Sequence, residues 1–151
     1  MLPASSERVA THTSKAVERR LQHEFEDRLA YFAGHPGEIE SRLKELDREW
    51  DIERVLEANA ATIAALGITT SALLRRRWVL ALPLAVALFL LQHAIQGWCP
   101  PLAIFRRRRV RSRREIDLER YALKMLRGDF TDGKRPDDET ISGVLNMAAR
   151  R

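Results

Sequence analysis

Two apolar stretches, set back to back and closed off by arginines, limit what this chain can fold into. The first runs from Val55 to Leu74 with one charged side chain, Glu57, and ends at Arg75-Arg76-Arg77. The second starts at Trp78, carries no polar side chain over its first fourteen residues to Leu91, and reaches Trp98 before Arg106-Arg107-Arg108-Arg109. A helix from Trp78 to Trp98 rises roughly 30 Å, the thickness of a bilayer's hydrocarbon core, so the two tryptophans are spaced as interfacial anchors. The expected fold is all-α: a two-helix transmembrane hairpin over 55–105, with helices at about 55–74 and 78–98, flanked by cytoplasmic amphipathic helices.

Charge is segregated along the 151 residues. Residues 1–54 carry net −3, residues 55–105 net +2 and residues 106–151 net +6, which together give the overall +5. A basic balance of this kind points either to nucleic acid or to cytoplasmic retention beside a membrane. Because the excess sits next to an apolar segment, retention is the simpler reading and no nucleic-acid partner is expected. One cysteine, Cys99, excludes an internal disulfide and hence a disulfide-stapled secreted fold. The charged first fifty residues lack the apolar core of a signal peptide, so insertion is expected to be directed by the internal apolar segments.

Either side of the hairpin the pattern is amphipathic. Residues 1–13 read as a flexible N-terminus. From Ser14, residues Val17, Leu21, Phe25, Leu29 and Phe32 recur at helical spacing, and Gly34-His35-Pro36-Gly37 stops the helix. Ile39, Leu43, Leu46 and Trp50 line a second helix, expected to fold back on the first within a 14–54 segment. With no glycine or proline between Trp50 and Val55, that helix reads as running directly into the first apolar one. Residues 106–151 read as a basic juxtamembrane segment and C-terminal helices. Ser112 caps a helix over 115–127 with Ile116, Leu118, Ala122, Leu123 and Leu126 on its apolar side. A linker at 131–136 and a last helix over 137–149 follow.

Within the apolar pair, Ala60/Ala64, Ala61/Ala65 and Gly67/Ser71 have the four-residue spacing of small side chains that lets helices in lipid approach closely, and Ala81/Ala85 offers a matching face. A soluble bundle competes with the membrane reading, since the first segment also holds Asn59, Thr62, Thr69, Thr70 and Ser71. The second segment decides for lipid: apolar on all sides, it would need protein around its whole circumference. Arg106, Arg107, Arg108, Arg109, Arg111, Arg113 and Arg114 outnumber the three arginines at the hairpin tip. Both termini are therefore expected in the cytoplasm, with this block meeting anionic headgroups.

Two readings of Cys99 stand side by side. In one, a thiol at the membrane face is activated by the neighbouring arginines; in the other, it is a small apolar residue at a helix end, followed by prolines that turn the chain. Gln92, His93 and Gln96 form a polar patch near the same end, opposite Asn59. His93 and Cys99 lack metal-ligand spacing, and no phosphate loop, nucleophile–base pair or carboxylate pair is present, so neither metal, cofactor nor enzymatic activity is expected.

The stretch from Glu53 to about Phe105, with Glu57-x-Asn59-Ala60 at its start and Gly97-Trp98-Cys99-Pro100 at its end, resembles the YgaP-like inner-membrane transmembrane domain family. The resemblance covers about a third of the chain. It implies a bacterial inner-membrane hairpin that associates as a homodimer. Some members carry a rhodanese domain that handles sulfane sulfur, which implies a sulfur role for Cys99 with a separate sulfurtransferase as partner. This chain departs from that architecture, because residues 1–54 show no strand pattern and no cysteine loop. Three functions follow as expectations: a non-enzymatic, self-associating membrane adaptor or scaffold; a sulfur or redox relay through Cys99; and a peripheral scaffold whose arginine block binds anionic lipid.

Overall fold

The computed structural model describes residues 13–130 and 137–149, and every regular element among them is helical. The flexible start and the 131–136 linker read from the sequence lie outside the described residues, Thr13 excepted. The elements are α1 (Lys15–Gly34), a 3-10 turn (Pro36–Glu38), α2 (Ile39–Arg48), α3 (Ile52–Leu74), a 3-10 turn (Arg77–Leu80), α4 (Ala81–Gln96), α5 (Pro100–Arg107), α6 (Arg113–Arg127) and α7 (Asp138–Ala149). They divide into two compact units, one running from Trp50 to Arg113 with Thr13, the other assembled from Ser14–Glu49 and the chain from Arg114 onward.

The unit built from the flanks forms because its helices each bury one stripe. Ser14 caps α1, its Oγ accepting from the Val17 N–H, and Leu21, Phe25, Leu29 and Phe32 follow as a buried row at spacings of three and four. Ile39, Leu43 and Leu46 from α2, Ile116, Ala122, Leu123 and Leu126 from α6, and Val144 from α7 complete a single core with Phe25, Leu29 and Phe32 of that row. In backbone approach the neighbour of α1 is α7, and α2 joins the same core through its side chains.

One charged residue sits inside this core. Glu119 is fully buried on α6, and its carboxylate accepts from Arg28 Nε at 3.1 Å and Arg42 Nε at 2.8 Å. Two arginines from two other helices thus close on one carboxylate. Nearer the surface, Arg120 bridges Asp117 and Asp47, and Arg127 pairs with Glu40 and Asp129.

The second unit is a helical hairpin with a short helix at its base. α2 does not continue into α3: the chain breaks at Glu49, and Asp51 caps α3, its Oδ1 accepting from the Arg54 N–H at 2.8 Å. At the far end, Arg75 takes the left-handed conformation (φ 51°) usually given to glycine, and the Arg76 N–H returns to the Ser71 carbonyl at 3.2 Å. A 3-10 turn through Trp78 then leads into α4, with Pro83 in its first turn, where a missing N–H costs nothing.

Candidate membrane-interface site

α3 and α4 meet along a seam of small side chains. Gly67 lies so close to Pro83 that a Cβ added to it would stand 2.8 Å from the proline Cδ. Gly67, Ser71 and Pro83 are buried, and half-buried Ala60 and Ala64 continue the row on α3, as Val86 and Leu90 do on α4. The small residues Ala60, Ala64, Gly67 and Ser71 therefore share one face within the chain. Ala81 is exposed, while Ala85 is half-buried like Val86 and Leu90, so the α4 side of the seam is Pro83 with Ala85, Val86 and Leu90.

The outward surface of the same hairpin is apolar. On α3, Ile63, Leu66, Ile68, Leu73 and Leu74 are exposed; on α4, Leu82, Leu84, Leu88, Phe89, Leu91 and Ile95 are. Covering eleven such side chains, each already partly buried, is worth on the order of 10 kcal/mol. That outweighs the ~2.5–3.5 kcal/mol for taking one carboxylate such as Glu57 into a bilayer, a cost that falls further near the headgroups.

One helix among the described residues, Arg77–Gln96, is long and apolar enough to cross a membrane, and only 11% of it is covered by the rest of the chain. α3 has the length but not the apolarity, because Glu57, Asn59 and four hydroxyl residues lie along it. Of the two expected transmembrane helices, one is thus apolar enough by itself.

At the base of the hairpin the chain's way in and way out are joined. The Ile52 N–H donates to the Arg111 carbonyl at 2.9 Å, and Asp51 Oδ2 stands 3.9 Å from an Arg113 guanidinium nitrogen. Cys99 and Leu102 pack with Ile52 and Leu56, flanked by Phe105 and Val110. Gly97, left-handed at φ 73°, ends α4, and Cys99 occupies the N-cap position of α5 with Pro100 and Pro101 behind it. The prolines begin a helix here; they do not merely end one.

This arrangement favours the second of the two readings of Cys99, a small residue packed at a helix end. Cys99 is buried, and that burial pushes its thiol pKa up; a hydrogen bond from the Leu102 backbone offsets part of the rise. It packs in an apolar cluster with Ile52, Leu56 and Leu102. The predicted polar patch is also rearranged. Asn59 donates to the Val55 carbonyl of its own helix at 2.7 Å, Gln92 faces Gln96, and His93 turns inward and is buried. The carboxylate oxygens of Glu53 and both ring nitrogens of His93 are closed off from solvent. No cluster of three or more metal-ligating side chains occurs among the described residues.

Trp78 and Trp98 are both exposed, Trp78 in the 3-10 turn and Trp98 just past the end of α4. Trp50, left outside α2, lies half-exposed under the Arg54 guanidinium, 4.4 Å from the ring centre.

The seven arginines of the basic block do not act alike. Arg106 is buried, donating from Nε to Thr13 Oγ1 at 3.1 Å and from a terminal nitrogen to the Val110 carbonyl at 3.3 Å, and Arg111 is buried as well. Arg106 thereby ties the loop that closes the hairpin, and burial withdraws both guanidinium groups from the surface. Arg107, Arg108, Arg109, Arg113 and Arg114 are exposed. No protein-family model, curated protein or solved structure matches this chain.

Proposed function

We propose that this chain is a small, non-enzymatic membrane adaptor in which α3 and α4 cross the bilayer together as a two-span hairpin and the two flanks fold on the cytoplasmic side into a helical docking unit. The observation that carries this reading is the hydrogen bond from the Ile52 N–H to the Arg111 carbonyl at 2.9 Å. A segment whose entrance and exit touch crosses a membrane an even number of times. If α4 spans, α3 must return with it, its own lower apolarity notwithstanding.

The shared core of the flanks supports the same conclusion, since α1 and α2 cannot pack with α6 and α7 from opposite sides of a bilayer. The resemblance of residues 53–105 to the YgaP-like family supports a bacterial inner membrane for the hairpin, and the exposed arginines favour a cytoplasmic side for the flanks. The outward face of α3, with Glu57, Thr62, Thr69 and Thr70 exposed, suits a second copy better than lipid and supports self-association.

The test uses single cysteines at Lys15, Arg76 and Ser142 in a Cys99→Ser background, labelled by a membrane-impermeant maleimide in intact spheroplasts and in inverted vesicles. Positions 15 and 142 are expected to label from one side and position 76 from the other. Labelling of 15 and 142 from opposite sides would mean a single span, and labelling of all three from one side would mean none.

A further inference from the structure

We propose that the outward face of α5 binds the phosphate of anionic phospholipid headgroups through Arg107 and Arg108, an inference that rests on the two-span reading above. α5 has two distinct stripes. Leu102, Phe105 and Arg106 turn inward, where Leu102 joins Cys99 against Ile52 and Leu56 on α3. Pro100, Ala103, Ile104, Arg107 and Arg108, spaced by three and four, are all exposed. The helix is therefore anchored to the hairpin by one side and presents the other, apolar at its start and cationic at its end.

Its position follows from connectivity. Gly97, Trp98 and Cys99 alone separate α4 from α5, and three residues reach at most ~10 Å. α5 thus begins within a headgroup layer's depth of the point where the apolar helix leaves the hydrocarbon. The apolar part of the stripe, Ile104 with Trp98 just ahead of it, matches the acyl boundary. The cationic part matches the phosphates above it, and two guanidinium groups at a helix C-terminus also satisfy the negative end of the helix dipole.

Nucleic acid fits this face less well, because an exposed isoleucine one turn from the arginines finds nothing apolar on a phosphate backbone. Arg106 and Arg111 are excluded by burial. Five of the seven arginines remain exposed, and of these Arg107 and Arg108 are the two that stand at the end of the outward α5 stripe.

The full-length chain carrying Trp50→Phe and Trp78→Phe leaves Trp98 as its one tryptophan. Reconstituted into phosphatidylcholine vesicles containing brominated phosphatidylglycerol or brominated phosphatidylcholine, its fluorescence quenching reads which lipid collects beside α5. A preference of about thirtyfold for the anionic lipid is expected, at ~1 kcal/mol for each of the two arginines beside a charged surface. It should weaken with salt and fall to about one in R107Q/R108Q, while R75Q/R76Q at the hairpin tip leaves it unchanged. Equal quenching by both lipids in the unmutated arginines, or a preference that survives R107Q/R108Q, would overturn the proposal. So would displacement of the anionic lipid by a DNA duplex. If neither brominated lipid quenches Trp98, the membrane placement itself fails, a result distinct from the loss of headgroup preference.

Discussion

Cys99 packs among Ile52, Leu56 and Leu102, and that apolar surrounding governs what its thiol can do. A thiolate placed there would lose its hydration, so the neutral form is favoured and the pKa rises. A folded-state pKa above the unfolded value adds stability that is fully present below the ordinary thiol range. It is lost as pH climbs from about 8.5 through the folded value. Iodoacetamide should accordingly modify Cys99 at pH 8 at least about tenfold more slowly than a free thiol, with full reactivity appearing only on unfolding. Rapid alkylation of the folded chain would restore the activated-thiol reading. Nothing in Gly97-Trp98-Cys99-Pro100 announces this burial, because the covering residues come from α3, more than forty positions earlier.

At the scale of elements, two contacts specify how helices meet. Gly67 lets α3 approach Pro83 on α4, and the proline ring has little freedom to yield. Gly67→Ala is expected to loosen the hairpin by about 1–3 kcal/mol, seen as a lower unfolding midpoint in detergent. An unchanged midpoint would show that the helices are not held at this point. In the other unit, Glu119→Gln removes a buried charge but leaves Arg28 and Arg42, each a fifth to a quarter exposed, facing a neutral amide. Loss of one partner from a buried ion cluster costs about 3–5 kcal/mol, and partial exposure of the arginines reduces this to about 2–3. Chemical denaturation of Glu119→Gln measures it, and a loss below about 0.5 kcal/mol would make the cluster ornamental to folding.

Helix positions were legible from spacing and caps. The Ser14 cap and the Leu21 to Phe32 row set α1, and Gly97 marks the end of α4. The break before α3 also had a signal, Asp51 standing directly ahead of an apolar run, but without glycine or proline it is a weak one. Glu119 was the harder case. Its place on the apolar side of α6, three residues after Ile116 and three before Ala122, marks it as inward, yet only the fold supplies Arg28 and Arg42.

Over the whole molecule, the hairpin is an insertion into a unit that the flanks build together. Because Asp51 and Arg113 stand side by side, excising residues 52–112 and joining the ends through a short Gly-Ser linker leaves the flank core uninterrupted. The shortened chain is expected to be helical, monomeric and cooperatively unfolding in plain buffer. Circular dichroism and sedimentation without detergent check this. A chain that aggregates or lacks helix would show that the flanks need the hairpin to fold.

Sequence alone determined the helical class, the apolar pair and the arginine segregation, because hydrophobic periodicity and charge placement are local properties that each stretch carries by itself. The pairing of residues 14–49 with helices α6 and α7 was decided only in three dimensions. So were the joined base at Ile52 and Arg111, the sheltering of Cys99 and the division of the arginines into buried and exposed. Each depends on surfaces far apart in the chain meeting, and a buried guanidinium or thiol reads in one dimension like an exposed one.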